Sequence, residues 1–142
     1  MVSTAASVSA QSAELSLTRL YVLRFVYLLI GAGEGSQVVP VLFNHEPAAR
    51  GVIPSLLAGM CLLDLLGLKY PRQMLPLLLF EFAWKWIWML AFGLPQYFSG
   101  QQPPTFGEDF FNIGFGVILM PLVIPWAYVW RHYVTAPGDR WQ

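Results

Sequence analysis

Residues Met74 to Leu94 read MLPLLLFEFAWKWIWMLAFGL, about twenty residues with a single acid, Glu81, and a single base, Lys85. A helix rises about 1.5 Å per residue, so as a helix this stretch is about 30 Å long, the thickness of a bilayer's hydrocarbon. It reads as a membrane span. Three further apolar stretches of similar length accompany it, at about Leu20 to Phe43, Val52 to Leu68 and Phe111 to Tyr133. Between them, NHEPAARG (44–51), KYPRQ (69–73) and PQYFSGQQPPTFGED (95–109) gather the Pro, Gly and charged residues that end helices. The expected fold is all-α, a four-helix transmembrane bundle of up-down topology over residues 17–135. Residues 1–16, MVSTAASVSAQSAELS, lack the cationic start and apolar run of a secretory signal and read as a mobile tail, and residues 136–142 read as a second tail on the same side.

Composition agrees with a lipid-solvated chain. Of 142 residues, 56% are hydrophobic and 11% charged, against roughly 25% charged in an average soluble domain. Eight Lys and Arg balance eight Asp and Glu, so no cationic surplus exists to hold a nucleic-acid backbone. The single cysteine, Cys61, forms neither an internal disulfide nor a Cys-x-x-Cys pair.

Orientation follows from the cations, because Lys and Arg in short loops stay on the cytoplasmic side. Arg19, Arg24, Lys69, Arg72, Arg131 and Arg140 all fall on one side of the expected topology, and Arg50 alone falls on the other. Both termini are therefore expected in the cytoplasm. Tyr70, Trp126, Tyr128, Trp130 and Tyr133 fit an aromatic belt at that face, with Tyr97 and Phe98 at the opposite one.

Five ionisable residues lie at membrane depth: Arg24, Glu34, Asp64, Glu81 and Lys85. Each costs about 2.5–3.5 kcal/mol in hydrocarbon on insertion scales unless it is paired or wetted. Helix rise puts Arg24 and Asp64 about 6 and 8 Å in from the cytoplasmic end, Glu81 about 10 Å, Lys85 about 16 Å and Glu34 about 21 Å. Glu81 and Lys85, four residues apart with the acid first, form the favoured helical ion pair. Trp84 and Trp88 share that arc and are expected to wall it with their rings, while Trp86 points away. Arg24 and Asp64 are expected to pair between spans one and two, with Glu34 sharing Lys85. This intramembrane polar cluster is either an internal network that fixes helix contacts or a proton relay or headgroup site.

Other features are plainer. Gly31, Gly33 and Gly35 surround Glu34 and suit either close helix packing or an unwound segment lining a cavity. Pro121 and Pro125 predict a kink in span four. His45 and His132 lie on opposite sides of the membrane, which excludes a shared metal or a haem held by two histidines of one chain. A single-His pigment or haem shared with a partner stays open. Met60, Met74, Met89 and Met120 read as core residues. No phosphate loop, Gly-x-Ser-x-Gly elbow or His-Glu-x-x-His is present, so no catalytic residues and no metal site are predicted.

RLYVLRFVYLLIGAGEGSQ (Arg19 to Gln37) and SLLAGMCLLDLLGLKYP (Ser55 to Pro71) resemble the first two spans of the DoxX-like group of small bacterial four-helix membrane proteins. In that group the first span starts near an Arg and runs through leucines into a glycine. Its His-Gly-x-x-Lys ending is replaced here by Glu34-Gly35. LLLFEFAWKWIWMLAF (77–92) and MPLVIPWAYVWRHYV (120–134) are similar to uncharacterised proteobacterial four-span proteins. The resemblance implies a bacterial inner membrane and, by analogy with members that accompany quinone-linked enzymes, an accessory role. The expected function is an accessory or assembly subunit without catalysis of its own, packed in the lipid bilayer against other membrane proteins or further copies of itself. The alternative is a small carrier or redox-linked protein that binds a quinone, lipid or proton at the polar cluster. No cofactor is predicted, although a quinone, lipid or pigment suits such a site.

Overall fold

The computed structural model describes residues 15–47 and 49–138, and every regular element among them is helical. Most of the N-terminal tail, and residues 139–142 with Arg140, lie outside the described residues. Helix α1 runs Leu17–Phe43 and α2 Val52–Lys69. Helix α3, Leu75–Trp88, continues through a π-helical turn, Met89–Gly93, into α4, Leu94–Ser99. Helix α5 runs Phe106–Val123, followed by the short α6, Trp126–Val129, and a second π-helical turn, Trp130–Val134. Four of these rods, Leu17–Phe43, Val52–Lys69, Leu75–Ser99 and Phe106–Val123, are long and apolar enough to cross a membrane.

Local chemistry sets the ends. Ser16 caps α1 by accepting the Arg19 backbone N–H at 3.3 Å. The three glycines do not unwind α1, which is helical throughout, and Pro40 falls in its last turn, where Asn44 N–H reaches the Pro40 carbonyl. Pro76 lies in the first turn of α3, where its missing N–H has no helical partner to lose.

Three boundaries differ from the expected ones. The third span does not stop at Leu94 but reaches Ser99, because the π-turn lets Leu94 N–H bond Met89 O and puts Pro95 in the first turn of α4. The rod ends at Gly100, whose φ of 70° is the left-handed conformation that favours glycine after a helix. The fourth span starts at Phe106 rather than Phe111, since Glu108 and Asp109 are first-turn acids that complement the helix dipole rather than loop charges. It also stops early. Ile124 is extended ahead of Pro125, and the chain resumes as α6.

That break leaves the Pro121 carbonyl without its helical donor. Pro125 has no N–H to offer Pro121 O one turn back, and the Trp126 indole N–H donates to it instead at 2.8 Å. The Arg19 guanidinium donates to Ile124 O at 3.3 Å, tying the start of α1 to the end of α5. Trp126→Phe should therefore lower stability by about 0.5–1.5 kcal/mol, the net worth of one hydrogen bond, read as a fall in unfolding midpoint in detergent.

Helices α1 and α2 are antiparallel partners. Tyr27 lies against Gly67, Gly31 against Asp64 and Gly35 beside Cys61, a descending register along α2 as α1 ascends. Tyr27 also donates its hydroxyl to Pro71 O at 3.2 Å. The core is built on Leu23, Val26 and Tyr27 of α1, Leu75 and Leu78 of α3, and Met120 and Ile124 at the end of α5. Near the other end, Tyr97 stacks on Phe110 at 5.7 Å, and Phe110 in turn meets Phe106.

Side-chain distribution is the reverse of a soluble bundle. Ile87 and Ile118 are 64% and 69% exposed, whereas Asp64, Glu81 and Lys85 are 1%, 0% and 7% exposed. Apolar side chains face outward and charges inward, the arrangement a hydrocarbon solvent favours. The chain is a four-helix bundle with the build of a multi-pass membrane protein.

Candidate functional site

The inward charges converge on Lys85. Its ammonium donates to Glu81 Oε2, one turn back on α3, and to Glu34 Oε1 of α1 at 3.4 Å. The Trp84 ring lies under it, with the ammonium 4.1 Å from the ring centroid. The aliphatic part of Lys85 crosses α5 at Gly116, where a Cβ would lie 2.5 Å from Lys85 Cδ and 2.6 Å from Cε. Glycine there is what allows a long side chain from α3 to pass α5 and reach α1.

Acids outnumber this cation. Glu34 Oε2, Glu81 Oε1 and both carboxyl oxygens of Asp64 are buried without a hydrogen-bond partner, as are the indole N–H groups of Trp84 and Trp86. Buried polar atoms ordinarily find partners, and leaving one unmet costs about 1–3 kcal/mol or more when charged. A group of such atoms is therefore a place where affinity for a proton or a polar ligand is stored. Among the described residues, no three His, Cys, Asp or Glu side chains are grouped so as to hold a metal ion.

Beside this cluster a cavity of about 510 Å³ lies among α1, α2, α3 and α5. Glu34, Lys85 and Trp84 form one end of its lining, and Gln37, Asp109 and Asn112 add polar groups toward the other. The remaining wall is aliphatic and aromatic. Leu29 of α1 and Phe115 of α5 line it and are themselves exposed, so the cavity reaches the outer surface of the bundle between those helices.

The structure brings Glu34, Glu81, Lys85 and Trp84 together, keeps Asp64 within electrostatic reach of them, and separates Arg24 and Trp88 from the expected set. Arg24 does not pair with Asp64: its Nε donates to Leu68 O at 3.0 Å, and its guanidinium lies 5.4 Å from the centre of the Tyr21 ring. The expected pairing needs Arg24 and Asp64 at similar depth, but the Arg24 side chain reaches the end of α2 at Leu68. Asp64 consequently sits under Gly31, seven residues and about 10 Å farther along α1. The Leu68 carbonyl, in the last turn of α2, is the unmet acceptor that Arg24 reaches. Trp88 packs its ring on Gly93 of the π-turn, where a Cβ would lie 2.7 Å from Cζ3. Trp86 faces Phe82, 6.2 Å between ring centres, and Phe82 meets Trp126 edge-on.

Sequence reasoning passed over Gly116 and Asn112. The signal for Gly116 was the small-residue pair Gly114 and Gly116 in an otherwise bulky helix, facing a span that carries a long cation. His45 and His132 take no part: His45 lies by its neighbour Glu46, and His132 stacks on Tyr128 at 3.8 Å.

Comparison with protein-family models, curated proteins and solved structures gave no match to this chain.

Proposed function

We propose that the chain is a protein of the bacterial inner membrane that holds, between α1 and α5, one small molecule with an apolar body and a polar head. One observation carries this reading: the partly open cavity, mostly apolar, ends on Glu34 and Lys85, with an unmet Glu34 oxygen beside it. A cavity that is largely apolar with a few convergent polar groups is the usual form of a small-molecule site. Quinones, lipid headgroups and pigments share that chemistry, and a carrier or redox-linked role follows from it.

A second reading, an accessory or assembly subunit beside larger membrane proteins or further copies of itself, is favoured by exposed rings at the loop end of the bundle. Phe43, Phe98 and Phe111 stand out from α1, α4 and α5 there, and large rings are the residues that anchor protein contacts. Isolation in mild detergent separates the two. A lone chain whose intact mass includes a bound small molecule supports the cavity reading, and stoichiometric partner chains without one support the subunit reading.

In both readings the loop with Lys69 and Arg72 faces the cytoplasm and so do the termini, by the distribution of cations. In a Cys61→Ala background, Gln73→Cys should react with an impermeant maleimide only after the cells are opened, and Gln101→Cys in intact cells. The reverse pattern would invert the topology.

A further inference from the structure

We infer that the molecule held in the cavity is an organic cation, an ammonium-type or delocalised positive charge carried on an apolar body. The inference rests on the cavity reading above and adds the sign of the charge. Among the described residues, Lys85 is the one cation in the cavity lining, and its ammonium is already engaged by Glu81 and Glu34. Against it stand Glu34 and Asp109 in the lining itself, Glu81 directly behind Lys85, and Asp64 beneath Gly31 on the α2 side. Glu34, Glu81 and Asp64 outnumber the one ammonium near them, and Asp109 adds a carboxyl toward the far end of the cavity. An anion entering would find no unengaged ammonium, whereas a cation would find carboxyl oxygens without partners. Low-dielectric walls strengthen that preference.

The details of the lining agree. Glu34 Oε2 is buried, unpartnered and belongs to a residue of the cavity wall, so it can accept from an N–H donor or face a delocalised positive charge. Trp84 and Phe115 put aromatic rings in the lining, and such rings attract cations more than neutral molecules of the same size. The other lining residues, such as Ile113 and Leu119, are apolar and match apolar substituents rather than a hydrated ion. A bare metal ion would gain nothing from such walls, whereas a lipophilic cation gains from both ends. Entry between Leu29 and Phe115 would bring it in from the lipid side, where such molecules concentrate.

Tetraphenylphosphonium and tetraphenylborate have nearly the same shape and opposite charge, and they test the sign directly. Each is titrated into the full chain in mild detergent or lipid nanodiscs, with protein-free blanks for partitioning, and read by calorimetry and quenching of tryptophan fluorescence. The expected result is saturable one-to-one binding of the phosphonium, with the borate weaker by about tenfold or more. Glu34→Gln should weaken the phosphonium by about tenfold, and Glu34→Asp should recover part of the loss. Ile113→Trp, which fills the cavity without altering a charge, should abolish binding and keeps the test decisive if the Glu34 variants do not fold. Borate bound as tightly as phosphonium would overturn the cation assignment while leaving a ligand cavity. No saturable binding of either probe would overturn both.

Discussion

Replacing Lys85 with Met is expected to lower folding stability by about 3–5 kcal/mol, the cost of breaking a buried ion pair from one side. Met fills nearly the same path past Gly116, so the change removes charge with little change of volume. What it leaves behind is the cause of the loss. Glu81 is fully buried, and both it and Glu34 direct an oxygen at the Lys85 ammonium. Without that cation each carboxyl must hold a charge in hydrocarbon or give up its hydrogen bond. The paired change Lys85→Met with Glu81→Leu removes one of the stranded acids and should recover most of the loss, since apolar residues of similar size commonly replace a buried pair at little cost. Unfolding by a denaturing detergent, followed by circular dichroism for the single and paired variants, measures both. A paired variant no better than the single one would show that the ammonium is not what compensates Glu81.

That network also marks how far the sequence could be read. Runs of about twenty apolar residues leave few alternatives to membrane-length helices, and Glu81 with Lys85 at four-residue spacing forms a contact that helical geometry alone dictates. Neither depends on how helices are placed against one another. The boundaries were harder, because Pro95, Glu108 and Asp109 belong to residue types that end helices yet sit in first turns here, where they are well tolerated. Arg24 and Asp64 depended on relative stagger. An offset of about six residues between α1 and α2 is enough to send Arg24 to the end of α2 and Asp64 to Gly31. The cavity was beyond reach, since it exists only where four helices diverge. Gly116 gains its meaning only from the lysine that crosses it.

The same dependence on close approach makes Gly67 the most sensitive glycine between α1 and α2. A Cβ added there would lie 2.5 Å from Cδ1 and Cγ of Tyr27 and 2.7 Å from Cδ2, over the face of a ring rather than at the end of a flexible chain. Tyr27 has nowhere to move: it is fully buried, and its hydroxyl is held by Pro71 O. Helix α1 must therefore back away from α2, opening contacts at Gly31 and Gly35 as well. Gly67→Ala should cost about 1–3 kcal/mol, the usual penalty for overpacking a filled interior. Gly59→Ala on the same helix provides the contrast, because nothing among the described residues lies within 4 Å of its Cβ position. There alanine should be neutral or stabilising by up to about 1 kcal/mol through helix propensity alone. A double-mutant cycle with Tyr27→Ala isolates the contact: once the ring is gone, the penalty at Gly67 should shrink toward the Gly59 value. If Gly67→Ala still costs the same without the ring, the close approach of the two helices is not governed by Tyr27.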